Sequence, residues 1–386
     1  MGRINRITLV GEKLFLDYNK TAIMHKVIGS LGRSYRFVEI NSVSKSKILR
    51  QLSYTCSYIK LFLSLGHAEK GQILWVSEFK FTLPHLVCAK IIAIFKQMIL
   101  VGGPHVLRAD AIWLTEPAFQ RQRLSMLQSI RITLVNFSDG WAIRLLDVVQ
   151  SYNPMYAARA ISLAGNNAKA KFIFPIGQCV DETISYRPRE RNQAKNIKLV
   201  FWGVANTLHG LDILPETVKL LRNRGISASV FIYSPANHYV KAVLLDALNC
   251  GVGDLFNNDT STVIKHDYSK VFFADLAISH LVSKNLHPEA RLLMNSLGTP
   301  NKLFEILALG LPAIAAKSDS LLEAVGPHSC ILVEAGEPMS LANAIEEVCA
   351  GKIDVSEIAR NGQLVARSRY SISAIARHVG EQLDAI

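Results

Sequence analysis

The sequence has few cysteines and none of them in a C-x-x-C pair: Cys56, Cys88, Cys179, Cys250, Cys330 and Cys349 are scattered over 386 residues. That spacing argues against a disulfide framework and a cysteine zinc site, and fits free thiols in a reducing compartment. No D-x-D pair occurs, so nothing suggests a metal bridged by two such carboxylates. Long uncharged apolar runs are missing too. The longest, residues 81–103, is interrupted by Lys90 and Lys96, short of the roughly 20 apolar residues of a transmembrane helix, and reads as helix then strand. The early apolar run ITLV is followed by Gly11, Glu12 and Lys13, too short for the apolar region of a secretory signal. The expectation is a cytoplasmic protein, held peripherally, if at all, on the inner face of the membrane.

What the chain does have is apolar content, 49% of its residues, and a length that one core seldom organises, which predicts two domains. Its charge is asymmetric. Residues 1–190 hold 25 Lys and Arg against 12 Asp and Glu, a surplus of +13, whereas residues 191–386 balance at −1. A surplus confined to one half implies either a solvated basic face or an anionic partner of that half. Nucleic acid is not expected, because RPRERNQAK is a short segment containing Glu190 and lacks interleaved aromatics.

Short β-rich runs alternate with helical patterns. Strands are predicted at 7–10, 36–40, 73–76, 98–101, 132–135 and 171–175, then at 198–202, 228–233, 262–266, 276–279, 312–316 and 330–333. Such alternation predicts an α/β protein with parallel sheets. The polar, proline-bearing stretch 182–196 reads as a linker. The boundaries expected are an N-terminal Rossmann-like domain over 1–185, a second over 197–370, and a final helix over 371–386 that crosses back to the first domain.

The densest chemistry lies in TPNKLFEILALGLPAIAA, residues 299–316. Thr299 suits an N-cap and Pro300 the first helical position. Lys302 then falls in the first turn, where a cation opposes the helix dipole unless an anion binds there. Asn301, Lys302 and Glu305 share one helix face. A carboxylate so placed suits the vicinal hydroxyls of a ribose, and the lysine a diphosphate; a simple Lys302–Glu305 surface pair is the alternative.

This segment resembles the nucleotide-sugar motif of GT-B glycosyltransferases, especially the retaining family 4 ("group 1"), in which P-x-K-x-x-E leads into A-x-G-x-P-V-I. FIFPIGQCVDETISYRP (172–188), LVFWGVANTLHGLDIL (199–214) and FADLAISH (273–280) resemble further stretches of the same family in order and spacing. The resemblance implies two Rossmann-like doubly wound domains facing across a cleft, with the nucleotide-sugar donor in the second and the acceptor in the first. It assigns Glu305 to the donor ribose and Asn301 and Lys302 to the diphosphate, with Gly203, Asn206, Thr207 and His209 in the turn after the first strand. Leu297 stands where many relatives have a carboxylate, and the Arg and Lys usual after that strand are missing.

The first half resembles the family weakly. Gly11 suits a loop close to the donor diphosphate, or equally a turn. His105, after Gly102 and Gly103, Glu78 and Asp139 are the candidates for acceptor contact or base, and His85 is a weaker one. No cofactor is implied: the nucleotide-sugar is a substrate, and helix N-termini and cations can stabilise its leaving group without a metal. The expected partners are that donor, a glycan or polyprenyl-diphosphate-linked acceptor of cell-surface polysaccharide synthesis, and an anionic membrane meeting Lys45, Lys47, Arg50 and Lys60 around YIKLFLSL. A sugar-nucleotide epimerase of the same fold and a non-catalytic basic binding module are the competing readings.

Overall fold

The computed structural model describes residues 6–11, 26–31, 33–39, 47–65, 72–76, 83–103, 110, 125–165, 170–173, 178–181, 196–260, 268–297 and 300–386. The described residues up to Cys179, together with Ile372–Ile386, form one compact unit, and Val180–Ser371 form the other.

The first unit contains strands β1 (Arg6–Gly11), β2 (Ser34–Glu39), β3 (Ile73–Val76), β4 (Ile99–Gly102), β5 (Val148–Ser151) and β6 (Ala170–Ile173). They lie in the order β2-β1-β3-β4-β5-β6, with every pairing parallel. Helices α1 (Lys47–Ser64), α2 (Leu83–Phe95), α3 (Met126–Arg144) and α4 (Pro154–Ala164) follow β2, β3, β4 and β5 in turn. Each of these four connections advances along the sheet in the same direction, so right-handed crossovers put all four helices on one face. β3 is buried at every position, as expected of a parallel strand covered on both faces.

Residues 132–135, predicted as a strand, lie inside α3. The ITLV run has β propensity, but the segment begins with a capping box: Ser125 Oγ accepts from Gln128 N–H and Gln128 Oε1 from Ser125 N–H. Gly140 then seats α3 closely on α4, where a Cβ would come within 2.8 Å of Leu163 O. Cap and packing outweigh a propensity that is itself context-dependent. The strand of this region is VVQS at 148–151.

The second unit has strands β7 (Asn196–Trp202), β8 (Ser227–Tyr233), β9 (Phe256–Asp259), β10 (Leu276–Ile278), β11 (Ala313–Ala316) and β12 (Ile331–Val333), all parallel, in the order β12-β11-β10-β7-β8-β9. The third strand is therefore at 256–259, and the predicted run 262–266 lies outside the described residues. Helices α5 (Leu214–Asn223), α6 (His238–Asn249), α7 (Pro288–Leu297), α8 (Asn301–Ala308), α9 (Asp319–Val325), α10 (Pro338–Cys349) and α11 (Val355–Tyr370) complete it. One core cluster holds Leu199, Phe201, Val230 and Ile278, and another holds Val200, Trp202, Phe304 and Leu307. Alternate residues of β7 thus point into the two layers. The final helix, α12 (Ile372–Ala385), packs on β6 of the first unit.

Candidate functional site

Counted from β7, the second sheet has the order 3-2-1-4-5-6, which reverses between β7 and β10. Open sheets of this kind bind ligands outside the carboxyl ends of the strands at that reversal. The residues following β7 and β10 are Gly203 and Ser279, so the predicted motif residues of the second unit gather where topology expects a ligand.

The turn after β7 is built from its own short-range bonds. Asn206 Oδ1 accepts from Leu208 N–H at 3.0 Å, and Asn206 N–H donates to His209 Nδ1 at 3.2 Å, which leaves the imidazole proton on Nε2. Thr207 and His209 use their carbonyls to hold the loop after β10, accepting from Ser283 N–H at 3.2 Å and Leu281 N–H at 2.9 Å. Gly210, at φ +65°, permits this close approach, since a Cβ there would lie 2.4 Å from Val282 N. Val282 is itself left-handed at φ +63°, a costly conformation for a β-branched residue. Asp212 locks the junction from beneath, accepting from Tyr239 OH at 2.9 Å and Ser283 Oγ at 2.7 Å.

Lys302 extends from the first turn of α8 across this floor. Part of its stem is exposed, but Nζ is buried, with no hydrogen-bond partner among the described residues. It sits 3.4 Å from the centroid of the Phe201 ring, and a Cβ on Gly203 would come within 3.2 Å of it. Burial pushes the amine down to about 7, against a smaller upward pull from the Glu305 carboxylate. An exposed Lys302–Glu305 pair is therefore not what the fold builds. Pro300, not Thr299, occupies the N-cap and supplies no side-chain cap; Thr299 lies outside the described residues.

Two imidazoles complete the cluster. Burial, with Lys302 and then His280 adding to it, pushes His209 down to about 3, and burial pushes His280 down to about 4. His280 Nδ1 and the neighbouring Ser279 Oγ are both buried without a hydrogen-bond partner among the described residues. The sequence reading missed His280, although a signal was present: it stands where the resembling A-D-x-x-x-x-P run has its proline.

On the far side of Lys302, Glu305 Oε2 accepts a long 3.4 Å bond from Trp202 Nε1. The Tyr268 phenol, its centroid 6.4 Å from that of Trp202, is held above its ordinary range by burial and then by the Glu305 carboxylate. An amine, a carboxylate, two imidazoles and a hydroxyl thus converge at one sheet edge. Three of their buried atoms lack a partner, which is costly unless a ligand supplies one. Asn301 shares the first turn of α8 with Lys302. Among the described residues no His, Cys, Asp or Glu group is arranged to hold a metal ion.

The first-half candidates are not assembled in this way. Gly11 ends β1. His105 and Glu78 lie outside the described residues. Asp139 follows no strand: it is fully buried midway along α3, so the argument that placed it at a strand exit fails. His85 is buried in α2 with its ring 5.7 Å from that of Tyr58.

Among solved structures the chain is similar to sucrose-phosphate synthase from Thermosynechococcus elongatus, at 13% identity and TM-score 0.66 over 98% of both chains. It is also similar to HepE from Anabaena in complex with UDP and glucose, at 15% identity and TM-score 0.61 over 99% of this chain and 100% of that one. A trehalose-6-phosphate synthase, studied for glycosyl transfer with retention, matches at 9% identity and TM-score 0.58 over 99% of both. The two parallel sheets with interleaved helices are the GT-B fold of these structures. No protein-family model matches the chain. No curated protein matches it in sequence.

Proposed function

We propose that this chain is a glycosyltransferase that takes its nucleotide-sugar donor at the carboxyl edge of β7 and β10. The observation that carries the reading is the buried Nζ of Lys302, without a hydrogen-bond partner among the described residues and laid across Gly203 beside Glu305 where the strand order reverses. An amine in such a place is explained by an anion that arrives with the substrate.

In this reading the donor diphosphate meets Lys302, with the His209 Nε2–H, the buried Ser279–His280 pair and backbone N–H groups at the start of α8 alongside. Gly203, Asn206 and Thr207 shape the turn beneath it, and Asn301 flanks the phosphates. Glu305, oriented by Trp202, accepts from the ribose hydroxyls. During transfer the bond from the anomeric carbon to the phosphate oxygen breaks, the nucleoside diphosphate leaves with that electron pair, and the acceptor oxygen bonds to the anomeric carbon. The acceptor proton passes to a donor phosphate oxygen, which fits retention of configuration, the outcome implied by the family 4 resemblance. His105 or Glu78 would serve acceptor binding. Charge stabilisation of the leaving group by a cation and fixed dipoles is the main catalytic contribution asked of this unit. The acceptor we favour is a glycan, free or carried on polyprenyl diphosphate at a membrane, as in cell-surface polysaccharide synthesis.

HepE holds UDP, which makes uridine nucleotides the first to test. Thermal unfolding with UDP, GDP, ADP, CMP and their sugars, at about a hundred times the dissociation constant, is expected to show one nucleotide class stabilising the protein by ~2.7 kcal/mol. Glu305→Ala and Lys302→Met should abolish that response while remaining folded. Stabilisation by none of the nucleotides, or an undiminished response in both variants, overturns the assignment.

A further inference from the structure

Helices α1, α2 and α3 cover one face of the first sheet, α2 packing against both neighbours. Their outward surface is unusually apolar. Among the described residues eighteen large hydrophobic side chains are exposed, and twelve of them belong to these three helices. On α3 they form a stripe: Ile130, Leu134, Phe137 and Trp141 recur at helical spacing, with Leu134 63% and Phe137 67% exposed. Ile132 and Ile143 of the same helix are buried on the opposite side. A helix that is apolar on both faces needs cover on both, and α3 has it on one. Exposed Ile91 and Ile94 continue the patch on α2.

The charge these helices carry is basic, although Lys90 is paired with Asp147 just beyond α3. Over the three helix sequences the basic residues are Lys47, Arg50, Lys60, Lys90, Arg131 and Arg144, and the single acidic residue is Asp139, which is fully buried. Lys60, Arg131 and Arg144 are exposed, and the Arg144 guanidinium lies over the Trp141 ring, 5.2 Å from its centroid. Indole and guanidinium together suit a boundary that is apolar on one side and anionic on the other. No helix among the described residues is long and apolar enough to cross a membrane.

We propose that the outer face of α1–α3 docks in the plane of an anionic lipid bilayer, with the α3 stripe entering the acyl boundary and Lys60, Arg131 and Arg144 meeting acidic headgroups. Charge complementarity selects the occupant. A second copy of this chain would bring basic rim against basic rim under two-fold symmetry, whereas acidic lipid meets stripe and rim together. The YIKLFLSL segment contributes less than its sequence suggests, since Tyr58, Leu61 and Leu65 are buried and Ile59 and Leu63 face outward.

Flotation with vesicles of equal phosphatidylglycerol and phosphatidylcholine, against phosphatidylcholine alone and with no nucleotide present, tests this separately from the donor site. The wild type should float with the anionic vesicles. Leu134→Ser/Phe137→Ser should weaken that binding by ~tenfold or more. Arg131→Glu should weaken it at low salt and reduce its salt dependence. Because these side chains are exposed, melting temperatures should hold, and light scattering after gel filtration should give one mass for wild type and double variant. Equal flotation with neutral and anionic vesicles, undiminished binding of the double variant, or a wild-type dimer that the double variant abolishes would each overturn the proposal.

Discussion

Lys302 sets the residue-scale expectations, because folding buries its amine with no hydrogen-bond partner among the described residues. Lys302→Met removes a buried polar group and should raise the stability of the unliganded protein by ~1–3 kcal/mol in urea unfolding while ending nucleotide binding. The pH dependence has a definite sign. With the folded amine down to about 7, the unfolded chain binds the extra proton between there and its ordinary value near 10.4. Stability should therefore climb with pH across that window, by up to ~1.4 kcal/mol per unit, and Lys302→Met should flatten the rise. Nucleoside diphosphate affinity should run the other way, falling by up to ~tenfold per unit above pH 7 in calorimetric titration, since the anion binds the protonated amine. His209 and His280, pushed down to about 3 and about 4, also take up protons on unfolding. Acidification from pH 6.5 to 4 should cost stability that a His280→Gln variant partly retains. Of these groups the sequence singled out Lys302 and Glu305 by their helical spacing and His209 by its place in the resembling turn. It did not reveal that Nζ would be buried, because that follows from Phe201 and Gly203, a hundred residues away along the chain.

At the scale of elements, the site depends on two loops being held as one piece. Asp212 accepts from Tyr239 of α6 and Ser283 of the loop after β10, so Asp212→Ala strands a half-buried donor on the helix and a buried one on the loop. It should cost ~2–4 kcal/mol of stability and raise the nucleotide dissociation constant, although Asp212 need touch no ligand. Gly210→Ala meets Val282 N head-on and should be worse. The strands around this site were largely legible, since β7, β8, β10 and β11 are short apolar runs between turn residues and each was found within a few positions. The ITLV run shows where such reading ends. Its β-branched residues say strand, and only the cap at Ser125 and the seat at Gly140, both outside the run, make it helix. The same error concealed the exposed stripe of α3, because an apolar run read as a buried strand has no outer face to examine.

Over the whole molecule, chain length and the polar stretch 182–196 foreshadowed two units, alternation foreshadowed their parallel sheets, and α1–α3 carry +5 of the first half's +13. The last helix is the least local feature. Gln382 bonds both backbone groups of Ile173, Oε1 accepting from its N–H at 2.6 Å and Nε2 donating to its carbonyl at 3.1 Å, which caps edge strand β6. Arg33 adds a 2.7 Å ion pair with Asp384. Deleting residues 372–386 should therefore destabilise the first unit, as read by hydrogen exchange in β6, and leave exchange in β7 and β8 near its original rate. This return of the chain also bears on how the protein is made. Synthesis delivers the first unit before the second, and domains ordinarily fold in the order they emerge. Here the unit that emerges first lacks its closing helix until α12 has cleared the ribosome, by which time Val180–Ser371 is already complete. The second unit can close as soon as residue 371 has emerged, whereas the first, with β6 uncapped, waits until α12 follows.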